Sequence, residues 1–144
     1  MSNRTGTPVH WSFWVIAAFA LIWNGLGSVN FIVQMNPEMV ESFRDAEKAI
    51  ITGRPIWATA GFAVGVFGGA VGALLLFLKK AIAYQVFVAS LVGIVVTMVH
   101  TTLVAAGPTV FGLVGIFIMI LLPAIVALFL IWYARYAIRN GWVV

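Results

Sequence analysis

The sequence predicts an all-α integral membrane protein, a four-helix bundle with one amphipathic interfacial helix between spans 1 and 2. Three observations predict it. Of 144 residues, 63% are hydrophobic and 8% charged, against about half and roughly a quarter in a soluble domain. Four apolar stretches, 13–33, 56–78, 81–106 and 110–133, carry no Asp, Glu, Lys or Arg, and each reaches the about 20 residues that a helix needs to cross hydrocarbon. None alternates with the period of two expected of a barrel strand, and lipid admits only helices or closed barrels, because backbone polar groups must be satisfied internally. The spans use most of the chain, so 1–144 reads as a single transmembrane domain.

Span 1 opens behind Arg4, and Ala18, Phe19 and Ala20 imitate the small-residue cleavage site of a signal peptide. The apolar run continues to Val33, however, and cleavage would leave half a span behind. A retained first helix is therefore expected, with Trp11 and Trp14 at its interface.

The segment between spans 1 and 2 holds all four acidic residues of the chain. A surface helix is expected over about 37–52. Asn36 suits the N-cap, Pro37 the first helical position, and Glu38 and Glu41 the positive end of the helix dipole. Gly53 and Pro55 stop it. Met39, Val40, Phe43, Ala46, Ile50 and Ile51 recur at three- and four-residue steps and form its apolar face.

Span 2 begins at Trp57 and carries Gly61, Gly65 and Gly69 at four-residue steps, with Gly68 and Gly72 on an adjacent strip. Small residues so spaced let two helix backbones approach closely in lipid. An intrachain packing seam is the expectation, ahead of a dimer seam. Lys79 and Lys80 alone separate spans 2 and 3, and Gly107 with Pro108 separates spans 3 and 4, so these helices must be antiparallel neighbours. Pro123, near the middle of span 4, removes a backbone donor and predicts a kink. Aligning Pro37 with Pro108 to test for a two-plus-two duplication brings few identities into register.

The net charge is +4 and the pI about 10.0. Lys79 and Lys80 are the only basic pair, so no stripe for nucleic acid exists. Topology explains the charge better. Arg4, Lys79, Lys80, Arg135 and Arg139 fall on one side, and Arg44, Lys48 and Arg54 on the other. Cytoplasmic flanks are enriched in Lys and Arg, which places both termini in the cytoplasm.

A few polar residues interrupt the spans. Asn24, Ser28, Asn30 and Gln34 lie toward one face of span 1, and Ser90, Thr97, His100 and Thr101 form a stripe on span 3. Amides and hydroxyls in hydrocarbon must be bonded, so these two faces are expected to meet inside the bundle as a candidate polar site. His100 is the side chain within the spans that titrates near neutrality; it suits a proton relay, a ligand-binding donor or a pH sensor, or else a neutral structural histidine that bonds to Asn30 or Gln34 or reaches outer-surface water. His10 is expected to be solvated. No embedded carboxylate, metal-ligand cluster or cysteine is present, and no nucleophile-base pair or phosphate loop is evident. No enzyme, metal or cofactor is expected.

Phe13 and Trp14, the run Leu21, Ile22, Trp23, Asn24, Gly25, the surface helix, the Pro55, Ile56, Trp57 start and the glycine-rich span ending in a basic pair together resemble a group of small bacterial inner-membrane proteins. These have four predicted spans and are loosely labelled sugar transporter-like, without an assigned activity. The resemblance implies a multi-pass inner-membrane location and carries over no site residues. Two functions are compatible with all this: a non-enzymatic accessory or scaffold component bound to other membrane proteins or to itself, and a transporter or binding protein for a small neutral polar solute such as a sugar.

Overall fold

The computed structural model describes residues 7–104 and 107–144, so Arg4 and residues 105–106, expected at the end of span 3, lie outside the described residues. Four of the described helices are long and apolar enough to cross a membrane: Trp11–Met35, Ile56–Phe77, Ala83–Leu103 and Thr109–Arg139. The protein is an all-helical, multi-pass membrane bundle. Span 4 ends at Arg139 rather than Tyr133 because the helix continues past the apolar stretch into its polar flank. In chain order the elements are α1 (Trp11–Met35), α2 (Pro37–Val40), α3 (Asp45–Thr52), α4 (Ile56–Phe77), α5 (Ala83–Val99), α6 (Gly107–Ile116) and α7 (Leu122–Arg139), with π-helical turns at His100–Val104 and Phe117–Leu121.

Local chemistry sets the starts and stops. His10 is exposed, and its Nδ1 accepts from the Ser12 backbone N–H at 3.3 Å, which satisfies one orphan donor and starts α1 at Trp11. At the other end Asn36 leaves the helix, and its Oδ1 accepts from Glu38 N–H at 3.0 Å. One asparagine thus ends α1 and caps α2.

The surface segment departs from the single helix expected over 37–52. α2 stops at Val40 and α3 begins at Asp45. Ser42 Oγ donates to the Met39 carbonyl at 2.7 Å, a local bond that competes with helix continuation. The Glu47 carboxylate then accepts from Arg44 N–H at 3.4 Å and makes a second helix start. The break turns the faces: Val40 and Ile50 are buried, whereas Ala46, expected on the apolar side, is exposed.

Within the bundle α4 is central, packed against α1 on one side and α5 on the other, with α7 beyond α5. The glycine seam explains the contact with α5. A Cβ on Gly65 would sit 3.1 Å from Ile94 Cγ1, and one on Gly72 would sit 2.8 Å from the Phe87 ring. Gly93 on α5 answers from the other helix, where a Cβ would lie 2.5 Å from both Gly61 O and Gly65 N. Backbones this close exclude any side chain. Gly61, Gly65, Gly68 and Gly72 all face α5, while Gly69 sits between two helices, against Asn24 of α1 and Ser90 Oγ of α5. The seam is therefore intrachain.

At the end where the described termini gather, the row of helices closes. The Phe13 ring lies 6.3 Å from Tyr133 and 6.2 Å from Trp142, which brings span 1 onto span 4. Ala17, Ala20, Ala73, Leu76, Phe87, Leu130 and Ala134 fill this end. Val144 N–H donates to Lys79 O at 3.0 Å, and Ala81 N–H donates to Val144 O at 3.1 Å, which clips the C-terminal residue to the span 2–3 hairpin.

Candidate functional site

The opposite end, beneath α2 and α3, is built differently. Span 3 leaves α-helical geometry at His100–Val104 and span 4 at Phe117–Leu121. Gly112 breaks α6 outright with φ 65° and ψ −177°, a backbone region open to glycine and strained for other residues. Pro123 sits at the start of α7, directly after the second π turn, where its missing N–H is consistent with the change of register. Three irregularities in two neighbouring spans keep these segments from packing as the glycine seam does. π turns recur at functional sites in other proteins.

Between the spans at this end lies a cavity of about 410 Å³, within the roughly 300–1,000 Å³ typical of small-molecule sites. All four spans and α3 contribute to its wall. Phe87 and Leu130 reach its depth, Asn24, Ser90 and Thr97 its polar side, and Glu47 and Arg54 the region nearest α3. Leu26, Ile118 and Met119 also line it although they are 64%, 53% and 51% exposed. The cavity therefore reaches the lipid-facing surface between spans 1 and 4.

The predicted polar residues divide into those on this wall and those off it. Asn24, Asn30, Gln34, Ser90, Thr97 and Thr101 line the cavity; Ser28 and His100 do not. Several are satisfied by helix backbone. Asn24 Nδ2 donates to Ala20 O at 2.8 Å, Thr97 Oγ1 to Gly93 O at 3.0 Å, and Ser90 Oγ crosses the seam to Gly65 O at 2.6 Å. Ser28 Oγ donates to Asn24 O at 3.0 Å and Val66 O at 3.3 Å.

His100 is 2% exposed and packs edge-on against Trp57 with ring centres 5.5 Å apart. Its Nδ1 is buried with no hydrogen-bond partner, and Asn30 and Gln34 bond to each other, and Gln34 to Arg54, rather than to His100. Gln34 is taken up by Arg54, whose Nη2 donates to Gln34 Oε1 at 2.7 Å. Gln34 Nε2 in turn donates to Asn30 Oδ1 at 3.4 Å.

Arg54 is the residue that sequence reasoning missed. Its guanidinium lies over the Phe62 ring, 5.0 Å from the centroid, a cation–π contact. Nε and Nη1 are buried and have no hydrogen-bond partner. Burial lowers its pKa from the ordinary arginine value, yet a guanidinium stays charged at any physiological pH. Other cations of this segment are paired: Arg44 with Glu47, and Lys48 with Glu41 and Asp45. The hydrogen bond from Arg44 holds the Glu47 carboxyl below its ordinary pKa. Among the described residues no carboxylate pairs with Arg54. A signal was present in the sequence: the positions three and four residues either side of Arg54 are Ile50, Ile51, Trp57 and Ala58, none acidic.

No group of three or more His, Cys, Asp or Glu residues suited to a metal ion occurs among the described residues. No protein-family model, curated protein or solved structure matches this chain.

Proposed function

We propose that the chain is a membrane-embedded binding protein for a small molecule with an apolar body and a polar head. The supporting observation is the cavity of about 410 Å³ that reaches the lipid-facing surface between spans 1 and 4. A helical component that served only as a scaffold would gain stability by filling that space, since voids forfeit the van der Waals contacts that hold helices together in lipid. A sugar would require polar groups all round it, whereas most of the lining is apolar and Asn24, Ser90 and Thr97 each already spend a donor on helix backbone. The side chains at the cavity's depth and lipid-facing rim are apolar. An amphiphile arriving from the bilayer suits this lining better. With both termini cytoplasmic, as the five-to-three distribution of Lys and Arg favours, the cavity belongs to the outer leaflet of a bacterial inner membrane. Binding without chemistry is the reading adopted, with lipid as the immediate partner.

The test is thermal unfolding in phosphatidylcholine nanodiscs with decanol as a neutral probe. The native protein is expected to be stabilised increasingly as decanol is added, with the logarithmic dependence that mass action requires above the dissociation constant. A cavity-filling Ile94→Trp variant is expected to lose that response. Absence of any decanol effect on the native protein would refute the reading.

A further inference from the structure

The cavity holds one feature that an apolar probe does not use. Two of the three nitrogens of the Arg54 guanidinium are buried without an acceptor, and the third is shared with Gln34. Leaving buried donors unbonded is costly, and more so for a charged group. The arrangement holds the guanidinium in place nevertheless: Phe62 supports its face and Gln34 fixes one edge. This is a positioned cation beside the cavity whose unbonded donors are covered in the empty protein, so a ligand engages them as the guanidinium turns off Gln34 toward the cavity.

Resting on the reading above, we propose that Arg54 is the head-group anchor of the cavity and that the ligand is a single-chain amphiphile ending in a carboxylate. Guanidinium and carboxylate match in geometry and charge, and such bonds are about twice as strong as neutral ones. One positive charge faces the head group. Glu47 lines the same region but is neutralised by Arg44, and His100 lies off the cavity wall. A monoanionic carboxylate balances Arg54; a phosphomonoester dianion would leave excess negative charge, and a monoanionic two-chain phospholipid is too large for a cavity of about 410 Å³. The tail then extends toward Phe87 and Leu130 and out past Leu26 and Met119.

The experiment measures displacement of labelled decanoate from the full protein in phosphatidylcholine nanodiscs, corrected against empty discs. The competitors are decanoate, methyl decanoate, decanol and acetate. On the native protein decanoate is expected to compete about tenfold or more better than its methyl ester, the worth of a hydrogen bond to a charged group. The gap is expected to vanish in Arg54→Gln and to persist in Arg54→Lys. Equal competition by decanoate and methyl decanoate on the native protein would overturn the anchor, and needs no variant to fold. Acetate competing as well as decanoate would assign the site to free small carboxylates and overturn the amphiphile. If labelled decanoate fails to bind while decanol stabilises the native protein, the anchor fails and the cavity reading stands; if neither acts, the cavity reading itself fails.

Discussion

The two ends of this bundle solve the same problem in opposite ways. Near the described termini, alanines pack regular α-helices closely together, and Phe13, Ala17, Ala73 and Leu76 are fully buried. Beneath α3, spans 3 and 4 carry π turns and a glycine break, and a cavity remains between the helices. In lipid no hydrophobic force drives helices together, so close packing supplies the stability. One end holds the fold, and the other is left open at the expense of contacts.

The largest expected effect falls on the α4–α5 glycine seam, which runs past the cavity wall at Gly65. At Gly93 a new Cβ meets the backbone of Gly61 and Gly65 at 2.5 Å, which cannot be relieved by a rotamer change. Gly93→Leu is expected to lose more than the about 1–3 kcal/mol of ordinary overpacking, read as loss of the folded fraction in denaturing detergent titration. Gly65→Leu is expected to follow it. Unchanged unfolding of either would show the seam is misplaced.

Gly112 sharpens the contrast. No atom lies within 4 Å of a Cβ built there, but its φ is +65°. Gly112→Ala and Gly112→Leu are therefore expected to cost the same, about 1–3 kcal/mol of backbone strain, whereas at Gly93 leucine is expected to cost far more than alanine. A size dependence at Gly112 in the same titration would contradict the open geometry of this end.

A smaller effect is expected for Ser90→Ala, which removes the 2.6 Å bond to Gly65 O and is expected to cost about 0.6–1 kcal/mol, as interhelical hydrogen bonds in membranes do. Decanol binding is expected to survive. The weakest effect concerns α3. The Glu47 pKa is lowered by its bond to Arg44, so the pair stabilises α3 fully above the ordinary carboxylate range and loses that contribution as pH falls through the lowered value. Because the Arg44 side of the pair is 70% exposed to solvent, the effect is small. Faster amide exchange in α3 at about pH 3 than at about pH 6, after correction for intrinsic rates, is the expected outcome.

Much of the packed end was legible in the sequence. Four uncharged stretches could only be spans, two-residue links fixed their neighbours, and the glycine spacing of span 2 marked a close packing seam without saying which helix it meets. Gly69 lies between two partners, Asn24 of α1 and Ser90 of α5, because one helix presents adjacent strips to both. The open end was less legible. Its π turns depend on tertiary packing rather than on any residue preference, and Gly112 looks like any other glycine until its φ is seen. The break between Val40 and Asp45 came from side-chain caps at Ser42 and Glu47 that an amphipathic period does not register. Arg54 was counted for its charge, whereas its partner Gln34 lies twenty residues away in sequence and becomes adjacent only when α3 folds over the bundle.

The chain has no cysteine, which permits the most direct test of an open end against a closed one. Met98 lines the cavity, whereas Ala17 is fully buried in the packed end. Single Met98→Cys and Ala17→Cys variants would be exposed in nanodiscs to a small uncharged membrane-permeant thiol reagent. Rapid modification at position 98, slowed by decanol, with none at position 17, is the predicted result. Equal inertness of both thiols would contradict the cavity and the function proposed for it.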